Sequence, residues 1–254
     1  MIRQSRVAPF ILLNESLGIA ELVGSPMCIN AMKVLTYIRD HDGVTLTKSG
    51  AFYRKFVTWA AEEFRWPGYE AEELYRVNKV LNEWDFLPLA IMHELLVKTR
   101  LIRRYKGKAL LSQAGKEIVG DYGALQAELF DTYFTTFDHF TSERFPIEYD
   151  EADHVHFLAV VQNRLDEWVP LPELATWCLP LDLFTRYRFS PVEDASYYLL
   201  SRLVRPLTWL GMMERHPGAD RYCPFRDLRF RKSPLLNRFM SFKIVRDGGW
   251  RYTE

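Results

Sequence analysis

Two stretches of this 254-residue chain carry the same physical signals in the same order. Each reads as an amphipathic helix, a short strand of apolar residues and arginine, a polar turn, a second strand and a helix opened by serine. The first runs from Leu87 to Val119: LPLAIMHELLVKTRL, IRR, YKGK, ALL, SQAGKEIV. The second runs from Ser190 to Phe242: SPVEDASYYLLSRLVRPLTWLG, MMER, HPGADR, YCPF and onward to SPLLNRF. A helix feeding directly into a hairpin, written twice, predicts a mainly α chain with small β-hairpins. It bounds architecture and leaves chemistry open.

Composition narrows the function classes. A hydrophobic fraction of 48% with 15% aromatic residues fills a packed core, so disorder is not expected. Lys+Arg and Asp+Glu are both 33, and this balance argues against a strongly non-specific polyanion binder. A local basic patch stays compatible with it. Cys28, Cys178 and Cys223 are too far apart for a metal knuckle or redox pair, and fit buried thiols in a reducing compartment. The apolar run Val7 to Leu13 is too short to span a bilayer and precedes no clear cleavage site. The expected setting is cytoplasmic, without membrane contact.

Local punctuation divides the chain. Residues 1–28 read as an irregular N-terminal segment, 29–140 as a first domain, 141–154 as a linker and 155–254 as a second domain. Within the first domain, Ile29, Met32, Val34, Leu35 and Ile38 mark a helix that stops near Asp42-Gly43. Phe52, Phe56, Val57, Ala60 and Phe64 mark the next, ended by Trp66-Pro67-Gly68, and Leu74, Val77 and Leu81 another. Asp85 is the expected N-cap of the helix that opens the first repeated unit. Ala124 to Phe137 reads as a long helix.

Two phrases echo each other: Leu46-Thr47-Lys48-Ser49-Gly50 and Leu111-Ser112-Gln113-Ala114-Gly115. Both place a hydroxyl residue after an apolar strand residue and a glycine three positions later. The hydroxyl is expected to cap a new helix, contributing about 1 kcal/mol, and the glycine to admit a close neighbour. Neither phrase has the glycines and lysine of a phosphate-cradling loop.

In the second domain, Phe157, Val160, Val161, Leu165 and Trp168 predict a helix, and Leu171 to Leu179 a short one between prolines. Ser190-Pro191-Val192-Glu193 is a capping box with proline at the first helical position. Pro206 falls inside the helix that follows, where an interior proline costs on the order of 3 kcal/mol. A kink or break is expected between Val204 and Leu207. Gly211 suits a left-handed helix end, with Met212-Met213 opening the strand.

This order of helices, strand, turn, strand and capped helix resembles the winged helix-turn-helix superfamily, which implies tandem winged-helix-like modules. The combination LTKSG, KTRLIRR-YKGK-ALLSQAG, RPLTWLGMMER and RKSPLLNRF also resembles uncharacterised bacterial proteins related to the plasmid-encoded open-reading-frame-three family of Ri plasmids. That resemblance spans roughly Asn30 to Phe242 and transfers no catalytic residue.

A winged helix that reads duplex DNA needs Arg, Lys, Asn or Gln near the start of the helix before the wing. Here Leu87, Leu89, Ala90, Ile91 and Met92 occupy that position in the first unit, and Glu193 and Asp194 in the second. Both helices read as core or partner-facing elements. The hairpins are better candidates. Lys98, Arg100, Arg103, Arg104, Lys106 and Lys108 gather on the first, with Tyr105 interleaved, and Arg229, Arg231 and Lys232 on the second. Such residues contact phosphate backbones or an acidic partner. They also suit a solvated strand face neutralised by carboxylates near Glu70 and Asp150. The C-terminal stretch adds Arg221, Arg226, Arg238, Lys243, Arg246 and Arg251 against Asp220, Asp227 and Asp247.

Signals for other chemistry are weak. Asp150, Asp153, His154 and His156 lie together without further Cys or His, so a polar linker is favoured over a metal site. No nucleophile elbow occurs, Cys178 sits in an apolar stretch, and the adjacent pairs Glu62-Glu63 and Glu72-Glu73 do not converge on a helix. The aromatic residues Trp59, Phe64, Trp66, Tyr133, Phe134, Phe137, Phe140, Tyr187, Tyr197, Tyr198 and Trp209 are expected mostly in packing, with any exposed cluster marking a protein interface. The expectation is therefore a non-enzymatic interaction or scaffold protein that binds a protein partner or itself, without cofactor or metal. The alternative is a DNA-binding transcriptional regulator contacting phosphates through its basic wings.

Overall fold

The computed structural model describes residues 1–137, 154–184, 189–218, 223–246 and 249–252, with the side chains of 1–243 within them. The chain divides into two units: 16–136, and a second formed by 1–15 together with 137–254. It is mainly α-helical with small antiparallel sheets.

Strands β1 (Ile2–Gln4) and β2 (Ile11–Asn14) form a hairpin in the stretch that the sequence reads as irregular. Ile11 and Leu13 are fully buried. The signal was missed because β2 finds its second neighbour near the other end of the chain, as described below.

Unit 16–136 starts with the short α1 (Ile19–Leu22) and then α2 (Pro26–Asp40). Ser25 caps α2, its Oγ accepting from the Cys28 N–H at 3.3 Å, and Pro26 fits the first turn, where no intrahelical donor is needed. The helix ends just before the left-handed pair Asp42 and Gly43, where the sequence places its stop. Next come β3 (Val44–Thr45), α3 (Arg54–Glu63) and α4 (Ala71–Val77). A 3-10 turn, Glu83–Asp85, leads into α5 (Leu87–Lys98). Strands β4 (Ile102–Tyr105) and β5 (Lys108–Leu111), α6 (Gln113–Ile118) and α7 (Tyr122–Thr136) complete the unit.

Two expected caps differ. Phe86, not Asp85, stands at the N-cap of α5. The Asp85 carboxylate is drawn back into the preceding turn, accepting from the Asn82 N–H at 2.8 Å. The echoing phrases also separate. Ser112 caps α6, accepting from the Gly115 N–H at 3.0 Å, whereas Thr47 Oγ1 accepts from the Ala51 N–H inside a loop. Tyr53, not a hydroxyl residue of the phrase, precedes α3. The close approach expected at the second glycine is present: a Cβ on Gly115 would lie 2.0 Å from the Leu101 carbonyl oxygen.

The unit's sheet has the order β3-β5-β4, all antiparallel, with Val44 opposite Ala109 and Arg104 opposite Ala109 on the other side. Val44, Ile102, Ala109 and Leu111 are buried, while Thr45, Arg103, Tyr105 and Lys108 are exposed. Period-two alternation therefore gives the sheet one core face and one free face. Phe52, Phe56, Phe86, Leu89, Met92, Leu125 and Phe130 belong to the core of this unit.

The second unit carries α8 (His154–Arg164), β6 (Val169–Pro170), α9 (Leu171–Cys178), α10 (Pro191–Leu199) and α11 (Arg205–Trp209). The Ser190 capping box forms as the sequence requires: Ser190 Oγ accepts from the Glu193 N–H and the Glu193 carboxylate accepts from the Ser190 N–H. At Pro206 the helical path is not broken. A π-turn over Leu200–Val204 joins α10 to α11, and the Arg205 N–H bonds the Leu200 carbonyl five residues back. The widened turn shifts the hydrogen-bond register ahead of the proline, which has no N–H to supply.

Strands β7 (Met213–Arg215) and β8 (Arg229–Lys232) follow, then α12 (Pro234–Phe239), β9 (Met240–Arg246) and β10 (Gly249–Tyr252). The second hairpin strand is thus Arg229–Lys232, while of the expected YCPF stretch Tyr222 lies outside the described residues. Pro224 precedes a 3-10 turn at Phe225–Asp227, and only Arg229–Lys232 supplies an alternating pattern with Phe230 inward. The sheet order is β6-β8-β7, so both units place the last strand of the hairpin between an early strand and its hairpin partner. A second sheet, β1-β2-β9-β10, joins the first residues of the chain to the last strands, with Leu12 opposite Ser241.

Candidate interaction surface

The hairpin β4–β5 is closed by Lys106 and Gly107, both at positive φ (46° and 73°). Two successive left-handed residues make the two-residue turn whose twist matches that of antiparallel strands, and glycine adopts it without steric cost. The turn holds the register in which Tyr105 faces Lys108 and Arg103 faces Leu110.

On the free face, the Tyr105 ring lies 5.2 Å from the Arg103 guanidinium carbon and 5.2 Å from Lys106 Nζ. The ring is 49% exposed. Arg103, Tyr105, Lys106 and Lys108 therefore form one cationic cluster around an aromatic ring. Arg104 is separated from them by the strand's alternation. Its guanidinium lies against the 47–50 loop, where a Cβ on Gly50 would come within 2.3 Å of Nη1. Lys98 and Arg100 sit at and just beyond the end of α5, Lys98 3.7 Å from Glu94 and Arg100 in the left-handed conformation. Among the described residues, Arg100, Arg103, Arg104, Lys106 and Lys108 form no ion pair with a carboxylate. Glu70 instead accepts from the Gly68 N–H, and Asp150 lies outside the described residues.

The second hairpin is different. Arg231 donates from Nε and Nη2 to Glu214 Oε2, both at 2.7 Å, and its guanidinium stacks 4.4 Å from the Trp168 ring centroid. Lys232 Nζ lies 2.8 Å from Asp166 and donates to the Gln162 carbonyl at 2.6 Å. Of the three, Arg229 is exposed and the other two are partly covered. Of the tail cations, Arg226 stands 4.0 Å from Asp227, while Asp220, Arg221 and Asp247, and the side chains of Arg246 and Arg251, lie outside the described set. Phe140 and Tyr187 do too.

The helices before the hairpins are not free. In α5, residues Pro88 to His93, Leu95 and Leu96 are buried, so no side of its first two turns is available to a groove. In α10 the first turn carries Glu193 and Asp194, the second of them buried.

Other candidate chemistry is sparse. His154 and His156 lie at the start of α8, His156 bonding the Trp177 carbonyl at 3.2 Å, while Asp150 and Asp153 are outside the described residues. Among the described residues, no three His, Cys, Asp or Glu side chains gather as metal ligands. Burial pushes the Cys28 thiol up to about 12, reinforced by the charge of Asp121. Burial also pushes Cys178 up to about 12, against the opposing pull of Arg164. Neither is an activated nucleophile. No helix among the described residues is long and apolar enough to cross a membrane.

The family model described as the Y4jL N-terminal domain matches residues 23–124, which contain the whole first hairpin. A protein of Sinorhizobium fredii (strain NBRC 101917 / NGR234), printed as "Uncharacterized protein y4jL", is 31% identical over 176 residues, covering 69% of this chain and 79% of the relative. The chain belongs to the Y4jL family. The Y4jL relationship places the free cationic hairpin inside the family's N-terminal domain and leaves the neutralised one beyond the matched residues. No solved structure matches the chain.

Proposed function

We propose that this Y4jL-family protein is a non-enzymatic interaction module built from two winged-helix-like units, with the first hairpin as its contact element. In each unit a helix, a strand, further helices and a hairpin follow in order, and the hairpin's last strand lies in the middle of the sheet. That is the order of a winged helix, and it agrees with the resemblance of the sequence to the winged helix-turn-helix superfamily. The carrying observation is the contrast between the helix and wing of the first unit. The helix is buried along its first two turns, while Arg103, Lys106 and Lys108 surround an exposed Tyr105 without a carboxylate partner. Such a wing meets an anionic surface without reading base edges. The proposed compartment is the cytoplasm, in keeping with three free thiols.

A second reading, DNA binding through the phosphate backbone, is favoured by the number of unneutralised cations on one hairpin. Titration of labelled duplex DNA across salt concentrations separates the two. Micromolar or tighter binding with a steep salt slope supports the DNA reading, and no binding at low salt removes it. The interaction reading expects Arg103→Glu with Tyr105→Ala to keep the fold and lose a protein partner or self-association. Unchanged oligomer mass and pull-down profile would remove it.

A further inference from the structure

We propose that the loop after α4, together with the start of α3, is a second docking surface, suited to an acidic polypeptide segment with apolar anchors. The two pieces of chain are tied side by side. The Phe52 N–H donates to Glu83, and Arg54 Nε donates to Asn82 Oδ1 at 3.1 Å. Phe52 and Glu83 point inward and are buried, so their chain neighbours Tyr53 and Trp84 are turned to solvent, 54% and 67% exposed. Val77 and Val80, at the end of α4 and in the loop beyond it, are exposed at 73% and 51%. Four large apolar side chains in one short region exceed the scattered exposure normal on a surface.

The charges there select the partner. Arg54 and Lys79 are exposed and form no ion pair among the described residues. The two carboxylates of the 3-10 turn are already engaged, Glu83 by Phe52 and His93 and Asp85 by Asn82. Two exposed cations, Arg54 and Lys79, therefore stand by these apolar side chains, with Asp85 as the partly exposed carboxylate among them. Tyr and Trp supply the anchors that dominate protein interfaces, and rim charges steer a partner of opposite sign. The valines decide between classes of macromolecule, because they offer nothing to phosphates and fit aliphatic or aromatic side chains. This surface is independent of the hairpin, since none of its residues belongs to β4 or β5.

The test is selection of short random peptides displayed on phage against the full-length chain, followed by affinity measurement of the enriched peptides as synthetic probes. Enrichment of Asp or Glu beside Leu, Phe or Trp, with about tenfold weaker binding to both Trp84→Ala and Lys79→Glu, supports the proposal. Arg103→Glu should leave these peptides bound, so failure of the hairpin reading and failure of this one give different results. Peptides without acidic bias, or equal binding to wild type and Trp84→Ala, overturn it. So does duplex DNA whose binding falls on Trp84→Ala. Trp84 is exposed, so its variant is expected to unfold at the wild-type midpoint. Lys79→Glu tests the charge without touching the apolar centre.

Discussion

The Glu83 carboxylate meets His93 Nδ1 at 2.6 Å, with both side chains only 5% exposed. The other carboxylate oxygen accepts from the Phe52 N–H, and the Phe52 ring stacks on the His93 imidazole at 3.9 Å. One buried acid thus joins the 3-10 turn, the start of the α3 segment and α5. Removing the carboxylate leaves the buried Phe52 N–H and His93 Nδ1 without their partner, a loss of about 1–3 kcal/mol for each orphaned group. Glu83→Ala should show a loss of that order in urea unfolding. Glu83→Gln keeps an acceptor for the Phe52 amide and should lose clearly less. Equal losses for the two variants would contradict the arrangement.

Gly115 gives a steric prediction. An added Cβ would meet the Leu101 carbonyl oxygen at 2.0 Å, and a backbone atom cannot swing away as a side-chain tip can. Gly115→Ala should destabilise by about 2–3 kcal/mol through forced separation of α6 from the Leu101 backbone between α5 and β4. Gly24→Ala, where a Cβ meets nothing within 4 Å, is the matched control and should stay within about 0.5 kcal/mol. Similar unfolding midpoints for both variants would disprove the close approach.

Much of the fold was legible because its signals are local. The Ser190–Glu193 box, the proline-opened helices and the Lys106-Gly107 turn each lie within a few residues. The strands β1 and β2 were not legible, since β2 is completed by β9 from the far end of the chain. Asp85 carried a correct capping side chain but gave it to Asn82, a choice that spacing alone does not reveal. At the candidate surface, charge identified nine cations on and near the hairpins, with Tyr105 interleaved, yet only three dimensions distinguish Arg103, free beside Tyr105, from Arg231, held by Glu214 and Trp168. Tyr53 and Trp84 left no sequence signal, because an aromatic residue beside a buried neighbour reads as core.

The two hairpins should respond differently to mutation. If the first meets phosphates, each removed contact lowers the slope of log K against log salt by about 0.9. Arg103→Ala and Lys106→Ala should each do so without shifting the unfolding midpoint, since both side chains are exposed. Arg231→Ala should leave binding and its salt slope unchanged, because that guanidinium is engaged by Glu214 and Trp168. A loss of binding in Arg231→Ala equal to that in Arg103→Ala would remove the distinction between the hairpins.

The buried thiols contribute to the loss of stability at alkaline pH. Cys28 and Cys178 are both raised by burial from 9.0 to about 12, so the folded state keeps its protons where the unfolded chain loses them. Their contribution is complete below pH 9, and is lost as pH rises from about 9 toward about 12. Unfolding free energy should therefore fall over that window, and more gently in Cys28→Ala or Cys178→Ala, measured relative to each variant's own value at neutral pH. The same burial governs reactivity. Cys223 is partly exposed, so native protein should give one fast-reacting thiol with a disulfide reagent and two that appear only on unfolding. Three equally fast thiols in the native state would show that neither Cys28 nor Cys178 is held in a packed interior.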